Sequence, residues 1–318
     1  MGNVWQLMLW RILLGLLTLF VVSVLIFSGV QFLPGDFATE VLGQAATPEA
    51  VDAIRRSLGF DVPAYMRYFS WISDVARGHF GTAFASGRDV AELVAPRLAN
   101  TMFLAAITAA IAVPLALTLG LFCAVFRDRW FDRAVSFATL VSISFPEFFV
   151  AYVLVLWLAV NAGLFPVLSD ISSQSTLAER IFVSVLPALT LTLGVLAHMT
   201  RMTKVSLVNL LDNQYIETAR LKGNPEIVVL FRHALPNAWA PITNVIALNL
   251  AYLITGVVVV ESVFVYPGLG QLMVDSVQIR DIPVVQTCAL IFAATYVVVN
   301  LIADVVSVVT NPRILHPR

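Results

Sequence analysis

The chain has 318 residues, of which 59% are hydrophobic and only 12% are charged, and its mean hydropathy is +0.88. A soluble domain carries about 25% charged residues, so the composition excludes an ordinary soluble protein and predicts a membrane protein. The formal net charge of -1 gives no indication of nucleic-acid binding. Cys123, Cys288 and four scattered histidines lack the spacing of a disulfide framework or a metal site.

Six apolar runs are long enough to cross a membrane as helices, for which about 20 residues are needed. The first run is longer than the apolar core of a cleaved signal peptide, so we expect it to be retained. The runs cover residues 12–35, 98–126, 134–165, 181–200, 234–260 and 282–303. The predicted fold class is therefore all-α and polytopic. We divide it into residues 1–35 with the first helix, a helical cap segment at 36–97, and a five-helix core at 98–318.

Lysine and arginine concentrate in alternate connections between the predicted helices. One set of segments holds Arg11, Arg127, Arg129, Arg133, Arg201, Lys204, Arg220, Lys222, Arg232, Arg313 and Arg318. The short segments of the other set hold only Arg180 and Arg280. Because short cytoplasmic loops carry the excess of basic residues, both termini are predicted to be cytoplasmic and the cap segment external.

Two short helices are predicted in the cap segment. Thr47, Pro48 and Glu49 have the pattern of an N-cap, a first-turn proline and an acidic first turn, and Gly59 is expected to end that helix. A second helix is predicted at residues 63–77. The pair either packs on the spans as an ordinary helical hairpin or contacts a partner directly, and the sequence leaves both open.

Glu147 interrupts the third apolar run directly after Pro146. At about 1.5 Å per residue it lies about 20 Å into that span. Pro146 is expected to bend the helix and to free the carbonyl of Ser142. An ionisable residue at this depth indicates pathway lining or conformational gating. The alternative is a glutamate that pairs with a neighbouring helix or lies in a crevice open to the cytoplasm.

The polar stretch "YIETARLKGNPE", residues 215–226, lies within a coupling segment that we define as residues 209–234. It predicts a helix over 214–222 that follows an N-cap at Asp212 or Asn213, and a stop at Gly223. Asn224 is expected to cap a second helix that begins at Pro225. We predict a rigid docking helix that exposes Thr218 and Ala219 together with Glu217, Arg220 and Lys222. The alternative is a solvated loop.

The fifth run carries amides at Asn237, Asn244 and Asn249, and Glu261 near its outer end. Asn237 and Asn244 are seven residues apart and share a helix face. Such amides suit a water-filled path and suit hydrogen bonding between helices equally well. After this run, Pro267-Gly268 indicates a turn, and apolar residues from Leu269 to Val277 predict a short amphipathic helix. That helix either lies at the outer mouth or packs on the cap segment.

Several motifs resemble those of ABC importer permeases of the dipeptide, oligopeptide and nickel family, first-subunit type. Glu217-Thr218-Ala219 with Gly223 and Leu235-Pro236 is similar to the cytoplasmic signature of these importers, with Thr218 in place of an alanine. Further similar motifs are "FLPGD" at 32–36, "LGFDVPAYMRYFSW" at 58–71, "LPALTLTLG" at 186–194, "RMTKVSL" at 201–207, "VVVESVFVYPGLG" at 258–270, "RDIPVVQ" at 280–286 and "NPR" at 311–313. The resemblance covers nearly the whole chain.

This resemblance implies a transmembrane subunit of an importer in a bacterial inner membrane. It implies that Tyr215, Glu217, Thr218, Ala219, Arg220, Lys222 and Gly223 couple the chain to an ATPase groove. It further implies a second permease, two ATPases that bind ATP and Mg, and an external solute-binding protein. The chain has no phosphate-binding loop of its own, so ATP chemistry belongs to partners and no cofactor is expected here.

The resemblance leaves the substrate open. Di- or oligopeptides are the first expectation, and nickel complexes, glutathione, opines and sugars are alternatives. Two alternatives come from other functional classes. A secondary transporter or channel often shows two repeated halves, which are not evident. An intramembrane enzyme needs a nucleophile and a base, yet no G-x-S-x-G occurs and His198 has no evident partner.

Overall fold

A computed structural model describes residues 2–31, 47–57, 61–172 and 174–310. The motif at 32–36, the predicted stop at Gly59 and the closing residues 311–318 lie outside the described residues. The described residues are almost entirely helical and contain no strand beyond one isolated bridge between Thr82 and Asp89. The predicted all-α class is confirmed.

The described residues form twelve numbered helices in chain order. They are α1 (Gly2–Gln31), α2 (Pro48–Ser57), α3 (Ala64–Ala76), α4 (Val90–Val125), α5 (Trp130–Ser144), α6 (Glu147–Leu154, continued by a π-helical turn at Val155–Asn161), α7 (Leu177–Leu211), α8 (Gln214–Leu221), α9 (Glu226–Val228, continued by a π-helical turn at Val229–Ala234), α10 (Leu235–Phe264), α11 (Leu269–Gln278) and α12 (Ile282–Thr310). Among the described residues, four helices are long and apolar enough to span a membrane, and six spans result if each of two bent pairs counts as one.

The third predicted span is sharply broken. Helices α5 and α6 meet at an angle of 103° at Phe145 and Pro146, because proline cannot continue the hydrogen-bond ladder. The bend that the sequence predicts is confirmed, but the span is two helices at nearly a right angle rather than one curved rod. The fifth span is also bent, by 44° at residue 255.

The centre of the bundle is formed by α4, α7 and α10. Helices α4 and α7 make the most extensive contact, and the small residue Gly120 allows it. A Cβ atom at Gly120 would lie 2.7 Å from Cβ of Thr203, so the two backbones approach more closely than any larger residue permits. Fully buried side chains such as Leu104, Leu191 and Val257 fill the space between the three helices.

Helix α1 lies at the periphery, where it packs on α12. Gly15 contacts Val297, and Arg11 forms an ion pair with Asp304. The sequence predicts an arginine partner for Asp304 without naming it, and the structure identifies Arg11. Most large side chains of α1 are exposed, as expected for a helix that faces lipid.

The cap segment is tied to the spans at several points. As predicted, Thr47 caps α2, accepting a hydrogen bond from the Ala50 N–H at 3.3 Å. Helix α3 packs on α1 through a 2.9 Å hydrogen bond between the Tyr68 and Ser23 hydroxyl groups. The predicted boundary between cap and second span lies inside α4, which begins at Val90 because Asp89 caps it by accepting from the Ala91 N–H at 2.7 Å. The hairpin interpretation of the cap therefore has direct packing in its support.

Asp281 fastens the turn before α4 to the start of α12. Its buried carboxylate accepts hydrogen bonds from the backbone N–H groups of Phe84 and Ala85, each at 3.0 Å. We expect Asp281→Ala to remove a charged acceptor from both N–H groups, at a cost of about 0.5–1.5 kcal/mol each, because Phe84 is half-buried and Ala85 is exposed, so that water replaces the carboxylate in part. Hydrogen exchange at residues 82–90 should then rise by at least tenfold, while exchange in α7 stays unchanged. Asp74→Ala, at an exposed carboxylate of α3, is the control and should leave both regions alone.

Candidate functional site

The coupling segment lies at the end of the bundle opposite the cap. Helix α7 begins beside the cap, where Arg180 donates to the Asn100 side-chain oxygen at 2.9 Å. It ends after 35 residues at Asp212, which pairs with Arg127 at 3.1 Å. Because Arg127 follows α4, this ion pair joins the ends of two core helices just where α8 begins. We call this end of the bundle the coupling face.

Helix α8 is fixed to the bundle by its buried side. Ile216 is fully buried and Ala219 is 7% exposed, and both pack against Val229, Leu230 and Ala234 of the returning segment. The expectation that Ala219 is exposed is wrong. The returning π-helical turn crosses α8 on this side, and a small residue is needed there for close approach.

Gly223 ends α8 as predicted, with φ at +80° in the left-handed region that glycine adopts without strain. The cap after it differs from the expectation. The Asn224 side chain does not cap the second helix but donates back to the Ala219 carbonyl at 2.9 Å, and Pro225 takes the N-cap position. Asn213 occupies the N-cap position of α8, but its side chain donates to the Asn209 carbonyl instead of capping.

Arg220 and Glu226 close the angle between the two helices. The guanidinium donates to both carboxylate oxygens, at 2.9 and 3.2 Å. This two-point contact fixes orientation as well as distance, although both side chains are exposed and the pair adds little stability. The predicted helix–stop–helix unit is therefore present.

The outward side of α8 presents Tyr215, Glu217, Thr218, Leu221 and Lys222. Leu221 is 83% exposed, and Ile227 beyond the glycine is 61% exposed. Leu221 is not among the predicted docking residues, although its position in the sequence indicates that it is exposed. It lies five positions after Ile216, which is buried. At about 3.6 residues per turn, that spacing places the two leucine-sized side chains on different sides of the helix.

Glu147 begins α6 and reaches two other helices. A Cβ atom at Gly194 of α7 would lie 2.8 Å from its Oε1, and one at Gly256 of α10 would lie 3.2 Å from its Oε2. The Tyr252 hydroxyl forms a hydrogen bond with the carboxylate. Glu147 is half-buried, and two glycines make the room it occupies. The neighbouring-helix interpretation thus has a specific geometry.

Asn249 and His198 form a second polar contact between α7 and α10. The two side chains lie 3.3 Å apart, from Asn249 Oδ1 to His198 Nδ1, and Asn249 also donates to the Val245 carbonyl at 2.7 Å. No partner for His198 is evident in the sequence, and the structure identifies Asn249. Asn249 is buried while His198 is exposed, so the amide holds the imidazole instead of reaching a surface itself. Asn237 and Asn244 are both exposed, as a shared face predicts.

Glu261, which the sequence offers as a candidate for pathway lining or gating, is fully buried within the chain. Its carboxylate accepts from the Thr101 hydroxyl at 2.7 Å and from the N–H groups of Gly270 and Gln271 at 2.7 and 3.2 Å. Those N–H groups belong to the first turn of α11, so Glu261 caps that helix from α10. The predicted amphipathic helix is present, packed against α4, α10 and α12.

Two family models together match nearly the whole chain. The model described as "Binding-protein-dependent transport system inner membrane component" matches residues 116–316. The model described as "Binding-prot-dependent transport system membrane comp, N-term" matches residues 4–105. The chain belongs to the ABC importer permeases. A permease of this family is the membrane component of its transporter and not itself an enzyme, as the sequence predicts.

Curated relatives support the same membership. The "Glutathione transport system permease protein GsiC" of Escherichia coli (strain UTI89) is 39% identical over 305 residues, which cover 96% of this chain and 97% of the relative. The protein of the same name from Shigella flexneri serotype 5b has the same identity and coverage. The match runs through both the cap segment and the core.

Proposed function

We propose that this permease couples to ATPase subunits through the outward side of α8. The observation that carries the proposal is Leu221, an apolar side chain 83% exposed on a helix whose other side is locked to the bundle. Exposed apolar patches with a polar rim mark sites that a partner covers, and the exposed Ile227 adds to the apolar surface of Leu221 in this segment. Leu221 is surrounded by Tyr215, Glu217, Thr218 and Lys222. The angle between α8 and α9 is set by Arg220 and Gly223.

The assembly that we propose contains this chain, a second homologous permease, two ATPases that bind ATP and Mg, and an external solute-binding protein. The complex lies in a bacterial inner membrane with both termini of this chain in the cytoplasm, as the distribution of lysine and arginine supports. Closure of the ATPases around ATP would move α8 as a rigid body. The two states of the bundle must differ in their contacts with the loaded ATPases for this to work.

The substrate that we propose is a small peptide, with glutathione included because the relatives named above are glutathione permeases. Nickel complexes, opines and sugars remain the alternatives within the same architecture. We place the translocation path along the side of α6, α7 and α10 that carries Glu147, Asn237 and Asn244, with His198 held there by Asn249. A second permease would close the other side.

The docking role of α8 predicts a result at Leu221. We expect Leu221→Asp to weaken association with the ATPases by about tenfold to a hundredfold, because a charge replaces a buried apolar contact at the interface. Thermal unfolding of the permease should not change, since the side chain makes little contact within its own chain. Co-purification with candidate ATPases measures association, ATP hydrolysis measures coupling, and thermal unfolding is followed on the purified permease.

Leu221→Met is the matched control, because it keeps an apolar side chain of similar size and should retain association. If Leu221→Asp binds the ATPases as the unchanged permease does, α8 is not the docking helix. Transport by the permease without any ATPase would instead favour a secondary transporter or channel.

A further inference from the structure

The Glu147 carboxyl group lies at membrane depth, and none of the ion pairs found in the described part of the chain includes it. Ionisable groups inside membranes are costly and, when retained, pair with one another or line a polar path. The Tyr252 hydroxyl bonds Glu147 within the chain, and this bond leaves room for a further group that comes from outside the chain.

The surroundings of Glu147 are built around the carboxylate. A Cβ atom at Gly194 would lie 2.8 Å from Oε1 and one at Gly256 would lie 3.2 Å from Oε2, so a side chain at either position would displace the carboxylate. Tyr252 bonds it from the same side of α10 as Gly256, one turn away. A carboxylate has about four acceptor sites, and one hydroxyl leaves most of them for another donor.

The same neighbourhood opens to a surface that this chain leaves uncovered. Tyr252 is 51% exposed, His198 lies one helical turn from Gly194 and is exposed, and Phe148 beside Glu147 is exposed as well. A charged group that arrives from this side would meet the carboxylate and the tyrosine oxygen together. Both oxygens accept hydrogen bonds from a cation.

The chemistry of the surroundings fits an organic cation better than a metal ion. Among the described residues, no group of three or more His, Cys, Asp or Glu side chains is placed to hold a metal. A primary ammonium group has three N–H donors and is satisfied by a carboxylate and a hydroxyl together with water. Small peptides and glutathione carry such a group, whereas most sugars do not.

We propose that Glu147 and Tyr252 form a binding site for the primary ammonium group of the transported substrate, at the break of the third span. This inference rests on the proposed function, because it needs a path beside α6, α7 and α10. It adds that the substrate must carry a primary ammonium group, which a coupling helix alone does not require. Gly194 and Gly256 are positioning residues that set where the carboxylate stands.

The test uses the assembled importer in lipid nanodiscs without its binding protein, so that only the membrane site is sampled. The probes are glutathione and dialanine, each with its N-acetylated form, and binding is followed by saturation-transfer NMR. We expect the unchanged importer to bind each free amine at least about tenfold more tightly than its acetylated form. Glu147→Gln should reduce this preference to less than about twofold.

A second variant protects the test against a folding defect in the first. Gly256→Ala keeps the Glu147 charge but displaces the carboxylate, since the added Cβ would lie 3.2 Å from Oε2, and should also lower the preference. Gly29→Ala is the matched control, because a Cβ there meets nothing within 4 Å, and it should retain the full preference. Thermal unfolding of each variant is measured beside binding.

Three results would overturn the ammonium site: no binding of either amine by the unchanged importer, equal binding of amine and acetylated forms, or a preference that survives Glu147→Gln. ATP hydrolysis stimulated by the loaded binding protein is recorded for the unchanged importer in the same preparation. If it is stimulated while the amine preference is absent, the site is wrong and the proposed function stands. If the ATPases do not associate at all, the proposed function fails first.

Discussion

Glu261→Ala is expected to destabilise the permease by about 3 kcal/mol or more. The substitution removes the acceptor for the buried Thr101 hydroxyl and for the N–H groups of the buried Gly270 and the half-buried Gln271. Each buried group that loses its partner costs about 1–3 kcal/mol. Helix α11 should detach first, because Glu261 caps its first turn. The helix also approaches this carboxylate closely, since a Cβ at Gly268 would lie only 2.1 Å from it.

Unfolding in detergent, followed as the free energy of unfolding against denaturant, measures this effect. Glu261→Gln keeps one acceptor oxygen, so its free energy of unfolding should lie between those of the unchanged permease and Glu261→Ala. Glu92→Ala is the matched control, because Glu92 is exposed and its contact with Arg88 is a 3.7 Å surface pair, so the change should stay within about 0.5 kcal/mol. Equal destabilisation by Glu261→Ala and Glu92→Ala would contradict the capping role.

Gly223→Pro is expected to abolish productive coupling. Proline fixes φ near −65°, whereas Gly223 requires +80°, and proline also removes the N–H that donates to the Arg220 carbonyl at 2.9 Å. A cost of about 3 kcal/mol or more would open the angle between α8 and α9 and reduce association with the ATPases by about a hundredfold. Hydrogen exchange over 214–228 and the affinity for the ATPases report the two steps separately.

Gly223→Asn separates backbone strain from side-chain bulk. Asparagine tolerates the left-handed region better than other residues, and a Cβ at this position meets nothing within 4 Å. Association should therefore be largely kept in Gly223→Asn. If proline is tolerated as well as asparagine, the rigid angle is not what transmits the motion.

The local features of the coupling segment could be predicted from the sequence, because they depend on neighbours in the chain. Gly223 had to stop a helix, and Pro146 had to bend one. The facing of Ala219 could not be predicted, since it is decided by Val229 and Leu230 returning across α8. The exposure of Leu221 could have been predicted from its spacing to Ile216, because the two positions lie on different sides of the helix.

The polar sites inside the bundle could be predicted only in part. The sequence singles out Glu147 as an ionisable residue at membrane depth, yet Gly194, Tyr252 and Gly256 join it from helices far away in the chain. The sequence places Glu261 near the outer end of a span, close to water. In the structure α11 packs over Glu261 and buries it. Contacts of this kind depend on how helices cross, and no local pattern encodes that.

The measurement that tests the account most directly is uptake into proteoliposomes that contain this permease, its proposed permease partner and the ATPases, with loaded binding protein outside. We predict that labelled glutathione or dipeptide accumulates against its gradient only when ATP and Mg are inside, and that Leu221→Asp and Gly223→Pro abolish the accumulation. Uptake that proceeds equally without ATP, or that is unaffected by both substitutions, would contradict ATP-driven import coupled through α8.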